Sequence, residues 1–228
     1  MSYDPFVELA AQLNVTRSSH NWTGLPGNFD RNNTHTLYSS SNGWGVPDLP
    51  PATVLPERLI AYNDRYKVEH PQPGDAVHFF LDDYRFETVW TQPRRSLSRI
   101  MRTGVALTPD FSLWREMPYA MQLWQVYRSR WCGAWMHSNG VQVIPTVSWS
   151  TESSFSFAFA GIQSGSIVAI SSVGIMDAKA RKGYHRGLEE MCDRISPSAI
   201  LVYGRSLGED KFGWDDTEFR YYKTRWDE

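Results

Sequence analysis

Cysteine is scarce in this sequence, with Cys132 and Cys192 the only two among 228 residues. They form no CxxC pair and show no spacing typical of a metal site. This usage argues against a disulfide-stapled secreted domain and fits a protein of a reducing cytosol.

Long apolar runs are also missing. No stretch approaches the roughly 18–20 apolar residues of a membrane span, and the opening residues MSYDPFVELAAQLN lack the basic region and apolar run of a signal peptide. A cytoplasmic protein with no membrane partner is therefore expected. The net charge of −2 gives no global attraction to nucleic acid, although a local basic patch is compatible with it.

Familiar catalytic signatures are absent as well. The sequence contains neither a GxxxxGKS/T phosphate loop nor a GxGxxG turn, and no Ser-His-Asp arrangement can be read from it. The histidines are poor candidates for a site: His78 falls inside a predicted strand, near the end opposite the site proposed below.

Aromatic residues, by contrast, are plentiful, with 10 Trp, 11 Tyr and 11 Phe. Such rings fill cores, and they also form stacking platforms and interface anchors. Their distribution and the local composition divide the chain into three parts. Residues 1–53 form an irregular arm with a short helix, residues 54–206 form an α/β domain, and residues 207–228 form a tail that docks on this domain.

From residue 54 onward, short apolar strands alternate with helical patterns. The predicted strands are 58–63, 76–81, 104–109, 141–149, 166–173 and 199–204. The predicted helices are 91–102, 114–138, 151–160 and 178–195. Buried strands separated by helices indicate an α/β fold with a mainly parallel sheet of about six strands and flanking helices. Both an open doubly wound sheet and an incomplete barrel fit this pattern.

The helix at 114–138 carries an apolar stripe of Met and Trp side chains, which Arg128 interrupts. We expect this stripe to pack on the sheet, with Arg128 partly buried, hydrogen-bonded within the chain and remote from the strand ends. Arg130 lies off the stripe and is predicted to be exposed.

Polar side chains follow every predicted strand, and ligands of parallel α/β folds bind at the carboxyl ends of the strands. Asp82, Asp83 and Asp110 are the candidate catalytic residues, and Asp82 with Asp110 could bind a divalent cation. Alternatively, Asp110 caps a helix and Arg85 neutralises an aspartate. The candidate binding residues are Glu87, Ser112, Ser148, Trp149 and Tyr203.

Four blocks, in this order and spacing, are similar to an uncharacterised domain family of bacteria, bacteriophages and other mobile elements. They are AVHFFLDDYRFETVW, LTPDFSLWREMPYAMQLWQVYRSRWCGAWMHSNGVQVIPTVSW, GSIVAISSVG and ILVYG. The resemblance runs from about Trp44 to Gly204 and implies a cytoplasmic protein of a phage or its bacterial host. The family is a domain of unknown function, so the resemblance assigns no catalytic residue.

Two functions fit these observations. One is an enzyme or ligand-binding domain with a carboxylate-containing site at the strand ends, acting on a nucleotide or nucleic acid. The other is a non-catalytic protein that binds and modulates a host or phage protein through exposed rings of the arm and tail. The tail mixes aromatic residues with charges of both signs, and its acidic excess weakens a nucleic-acid role.

Overall fold

The structure, a computed structural model, describes residues 32–209, 214 and 217–224. The short helix predicted near Asp4 lies outside these residues. The described chain forms seven strands: β1 (Arg58–Ala61), β2 (Asp75–His78), β3 (Val105–Leu107), β4 (Gln142–Ile144), β5 (Val168–Ser171), β6 (Ala199–Tyr203) and β7 (Glu218–Tyr222). Its α-helices are α1 (Arg65–Glu69), α2 (Thr88–Thr91), α3 (Pro93–Ile100), α4 (Tyr119–Ser138), α5 (Phe155–Ala158) and α6 (Ala178–Ile195).

The strands lie side by side in the order in which they occur along the chain. β1 to β4 form one parallel sheet and β5 to β7 another, and a parallel bridge between Thr146 and Ala169 joins the two. This order never reverses, whereas a doubly wound sheet requires a reversal. Within the described chain no pairing joins β7 to β1, so the incomplete barrel is the better description of the two predicted architectures.

The two faces of the sheet have different partners because successive strand residues point to opposite sides. One face forms an inner layer to which β2 to β6 all contribute, with Ala76, Leu107, Ile144, Ala169 and Leu201. The other face packs under helices. β1 to β4 lie beneath α3 and α4, and β5 and β6 lie beneath α6. No helix of the described chain is long and apolar enough to cross a membrane.

Residues 49–56 run along the amino ends of the strands. Ala52 accepts a hydrogen bond from the Ile167 amide (3.0 Å) and donates its own amide to Ser166 Oγ (3.0 Å). Pro56 O accepts a hydrogen bond from Tyr222 Oη at 2.6 Å. Ala52 and its neighbours Val54 and Leu55 also pack into the inner layer. This segment therefore ties β5 and β7 to the start of β1 at one end of the barrel.

All six predicted strands are present, and β7 is an additional strand that the sequence analysis missed. Helix α6 has the predicted bounds, but the others are shorter than predicted. The predicted helix 91–102 begins only at Pro93, because proline is suited to the first turn of a helix. Helix α4 starts after Pro118, and 151–160 contains a short 3-10 turn followed by α5.

Candidate functional site

A cavity of about 780 Å³ opens at the carboxyl ends of the strands. The segments that follow β2 to β5, the last residue of β6 and one face of α6 form its walls. This is where a parallel α/β fold places its ligands. Five of the predicted site residues line it: Asp82, Asp110, Ser148, Trp149 and Tyr203.

Asp110 is the carboxylate whose surroundings in the cavity are most unusual. It follows β3 and accepts a hydrogen bond from Ser148 Oγ, which follows β4. Burial raises the pKa of Asp110 to about 6, and the nearby Asp83 charge adds to this rise, while the Ser148 hydrogen bond and the Arg130 charge oppose it. A carboxyl group with this pKa can both donate and accept a proton near neutral pH.

The neighbouring aspartates differ from Asp110. Asp82 has a side chain that is 62% exposed and is paired with Arg85 at 3.0 Å. Asp83 accepts hydrogen bonds from the amide and the hydroxyl of Ser112, at 3.2–3.3 Å and 2.8 Å. Asp83 and Ser112 thus hold the loops after β2 and β3 together, and neither lines the cavity.

Glu87 also lies away from the cavity lining, because it forms an ion pair with Arg128. The Arg128 guanidinium lies 3.8 Å from the centre of the Phe111 ring, and its side chain is only 11% exposed. Arg128 is therefore partly buried and bonded within the chain. It contacts Phe111 just beyond the end of β3, so it is closer to the strand ends than the sequence suggested.

Arg130 was predicted to be exposed, and this prediction is wrong. The residue is 2% exposed, and its guanidinium donates hydrogen bonds to the carbonyl oxygens of Thr146, Ala158 and Ala160 at 2.9–3.1 Å. The apolar periodicity of α4 does not indicate that this side of the helix is buried, but the glycine at position 133 does. A Cβ on Gly133 would lie 2.7 Å from Thr108, so this face of the helix meets the sheet closely.

Trp149 forms one wall of the cavity and rests on α6. Its Nε1 donates a hydrogen bond to Gly183 O at 3.2 Å, and the ring packs near Tyr184. Gly187, one turn further along α6, is the point of closest approach: a Cβ there would lie 2.2 Å from the indole. The absence of a side chain at Gly187 therefore sets the position of the ring.

Two glycine substitutions test whether the Trp149 ring packs directly on Gly187. Gly187→Ala should destabilise the protein by about 1–3 kcal/mol because the indole must shift. Gly183→Ala is the matched control, since its Cβ would meet only Arg115 Nη2 at 3.5 Å. It should stabilise the fold by up to about 1 kcal/mol through helix propensity. Urea unfolding measures the free energy of unfolding of both variants. Equal changes in the two would contradict the packing of Trp149 on Gly187.

His78, Phe80 and Tyr203 form a ring cluster in the inner layer, and Phe80 and Tyr203 also line the cavity. The ring of Tyr203 is stacked on Phe80 (5.0 Å between centroids) and lies 4.5 Å from His78.

The expected position of His78 is wrong, because β2 ends at this residue instead of continuing to 81. Burial lowers the pKa of His78 to about 3. The imidazole is therefore neutral, and its Nδ1 accepts the Phe80 amide hydrogen bond.

The divalent-cation prediction remains a prediction. Within the described part of the chain, no group of three or more His, Cys, Asp and Glu side chains is arranged to hold a metal ion. Asp82 and Asp110 line the same cavity, but the Arg85 partner of Asp82 competes with a cation for that carboxylate.

The partner-protein prediction also remains open, since residues 1–31 of the arm and ten residues of the tail lie outside the described residues. The arm rings that are described have partners in the fold. Tyr38 packs edge-on against Trp131, and Trp44 Nε1 donates a hydrogen bond to Ser156 O at 2.9 Å. Trp114, which is 65% exposed, lies instead at the cavity.

The fold and cavity define a mixed α/β protein with a polar site at the carboxyl edge of an open parallel barrel. The chain belongs to the family described as Domain of unknown function (DUF4417), whose model matches residues 38–223. This confirms the family resemblance and extends it at both ends.

Two phage proteins are similar to this chain over most of its length. It is 49% identical over 217 residues to the Gene 1 protein of Mycobacterium phage L5, with 94% of each chain covered. It is 48% identical over 214 residues to the Gene 1 protein of Mycobacterium phage D29, covering 93% of this chain and 78% of that one. No solved structure matches it. These similarities support the predicted phage origin.

Proposed function

We propose that the strand-end cavity binds a nucleotide or nucleobase and that Asp110 exchanges a proton with it. The observation that carries the proposal is the position of Asp110, a carboxyl group with a pKa of about 6, in the cavity at the strand ends. A group that titrates near the working pH is suited to general acid–base chemistry.

The lining of the cavity supports a planar polar ligand. Trp149 and Tyr203 supply aromatic surface to the lining, and Arg115 adds a cation. Nucleobases stack on rings, and their ring N–H and amino groups can hydrogen-bond to a carboxylate. Ser148 orients Asp110 through its hydroxyl and, by donating to the carboxylate, stabilises the ionised form. In this scheme Asp110 is the catalytic residue, and Ser148 is a positioning residue.

Asp110→Asn tests the proposal by thermal shift against a panel of nucleobases, nucleosides and nucleotides. A ligand at 100 times its Kd adds about 2.7 kcal/mol of stability, which corresponds to a rise in Tm of roughly 5–10 °C for a chain of this size. We expect wild-type protein to show this rise with one class of compound and Asp110→Asn to lose it. An unchanged response of the variant would contradict the role of Asp110.

The same variant should not lose stability. Because the folded pKa of Asp110 is raised, its protonated form favours folding below pH 3.8, and this contribution is lost as the pH rises through about 6. At pH 7.5 the ionised side chain costs up to about 3 kcal/mol, and asparagine removes this cost. Urea unfolding should therefore give a free energy of unfolding at least equal to that of wild type.

Asp82→Asn is the matched control at the exposed rim of the cavity. It should leave both stability and the nucleotide response unchanged when divalent metal is omitted. Repeating the screen with Mg²⁺ or Mn²⁺ tests the metal prediction separately. A metal-dependent rise in Tm that both Asp82→Asn and Asp110→Asn abolish would establish a cation bound between these two carboxylates.

A further inference from the structure

A second surface, separate from the cavity, carries a concentration of positive charge. It is a groove of about 650 Å³ between α1 and α3, into which five arginines and one carboxylate, Glu69, project. We call it the basic groove. Its arginines are Arg65, Arg85, Arg95, Arg99 and Arg102. The chain as a whole has a net charge of −2, so this charge is local and is not a property of the composition.

Most of this charge is not neutralised within the protein. Arg85 is paired with Asp82, but the other four arginines have no carboxylate within 4.0 Å among the described residues. Arg99 donates to Tyr62 O at 2.8 Å and Arg102 donates to Glu69 O at 3.2 Å. These acceptors are neutral carbonyls, so they fix the guanidinium groups in place and leave their charge available.

The basic groove also offers an exposed ring. Tyr84 lines it with 73% of its surface exposed, and the Arg85 guanidinium lies 5.1 Å from the centre of this ring. A solvent-exposed aromatic side chain beside several arginines is the combination that binds single-stranded nucleic acid. The cations contact phosphates and the ring stacks on a base.

We propose that the basic groove binds single-stranded nucleic acid, with Arg65, Arg95 and Arg102 at the phosphates and Tyr84 stacked on a base. This is independent of the chemistry proposed for Asp110, although the two surfaces adjoin. Asp82 lines the cavity, and its ion-pair partner Arg85 lines the basic groove. A strand held in the basic groove therefore passes the rim of the cavity.

The test uses fluorescence anisotropy of a labelled 12-nucleotide oligothymidine with the full-length protein. Arg65 and Arg95 are exposed, so Arg65→Gln/Arg95→Gln should fold normally. Each phosphate contact to a single strand contributes about 0.7 to the slope of log K against log salt. The double variant should therefore lower this slope by about 1.4 and weaken binding roughly tenfold to thirtyfold at about 0.1 M salt.

The charge-matched control is Arg181→Gln/Lys182→Gln on α6. These two residues belong to another basic part of the surface, outside the basic groove. The control should keep wild-type affinity and slope. Equal losses in both double variants would show that only total charge matters, and a loss confined to the α6 variant would move the site there. Either result would overturn the proposal.

Tyr84→Ala separates a nucleic-acid site from a general polyanion site. Loss of a base stack should weaken binding about fivefold or more, with the slope of log K against log salt unchanged. Tyr84→Phe keeps the ring and should retain the wild-type affinity. Unchanged binding of Tyr84→Ala, or tighter binding of the same-length duplex, would overturn the single-strand assignment. These assays use no variant of the cavity, so a failure of the cavity proposal does not change how their results are interpreted.

Discussion

Arg130→Met is expected to destabilise the protein by about 3–5 kcal/mol. The guanidinium is buried and satisfies three carbonyl oxygens, two of them at the end of α5 or just beyond it. Methionine fills much of the volume but leaves these carbonyls without donors, and two of them belong to the buried residues Thr146 and Ala158. Because the Arg130 charge lowers the pKa of Asp110, the variant should also raise that pKa further above 6.

Urea unfolding at pH 7.5 measures the effect of Arg130→Met, and Arg128→Met is the matched control two residues away. Arg128 has one carboxylate partner, Glu87, which is 39% exposed and can be hydrated when the pair is lost. We expect a cost of about 1–3 kcal/mol for Arg128→Met. If Arg130→Met does not fold, Arg130→Lys retains a charge but reaches fewer carbonyls, and it should still cost more than Arg128→Met. The opposite ranking would contradict the structural role of Arg130.

Acidification should unfold the protein through His78. Burial lowers the pKa of this histidine from 6.5 to about 3 in the folded state, so the unfolded chain binds the proton more readily. The stability that depends on neutral His78 is therefore fully present above pH 6.5. It is lost as the pH falls towards 3, at up to about 1.4 kcal/mol of unfolding free energy per pH unit. The full loss is roughly 5 kcal/mol, which is comparable to the total stability of many domains.

The change that tests this is His78→Asn, whose side-chain oxygen can replace Nδ1 as acceptor of the Phe80 amide. The variant loses ring packing, but its free energy of unfolding should fall less steeply between pH 6.5 and 4 than that of wild type. Protonation of Asp110 raises the free energy of unfolding as the pH falls from 6 to 3.8. The informative quantity is therefore the difference between the pH profiles of wild type and His78→Asn. His137→Asn, at an exposed position, should retain the wild-type profile, and an identical acid slope in His78→Asn would refute the prediction.

The strands were predictable because their apolar runs are uninterrupted and are separated by helical patterns. β7 was missed for a physical reason. Its sequence, EFRYY, lies at the edge of the sheet, and Glu218, Arg220 and Tyr221 remain partly or largely exposed. An edge strand needs little apolar sequence, and its charges resemble those of a docked tail. The end of β2 was misplaced because Phe79, Phe80 and Leu81 continue the apolar run after the strand hydrogen bonds have stopped.

The candidate site was predictable in its location but not in its details. The carboxyl ends of parallel strands converge, so Asp82, Asp110, Ser148, Trp149 and Tyr203 come together whatever the local geometry. Which aspartate points inward depends on turns that periodicity does not specify. The 3-10 turn Asp83–Arg85 directs Asp83 to Ser112 and leaves Asp82 at the rim.

Arg130 illustrates a different limit of sequence reasoning. An arginine next to an apolar stripe normally reaches solvent. Here the carbonyl oxygens at the end of α5 and just beyond it supply acceptors from a part of the chain about 30 residues away. Such partners become visible only when the helices are placed in three dimensions.

The strand order has a consequence for how this chain assembles during translation. Each new strand lies beside the one made just before it, so the growing sheet can add β1 to β6 in turn as they leave the ribosome. Residues 49–56 are the exception. The hydrogen bond between Ala52 and Ser166 cannot form until Ser166 has been synthesised. The hydrogen bond between Pro56 and Tyr222 requires a residue 166 positions later. β7, the last strand of the described chain, therefore completes contacts with the segment before β1, and truncation before β7 removes the hydrogen bond from Tyr222 to Pro56.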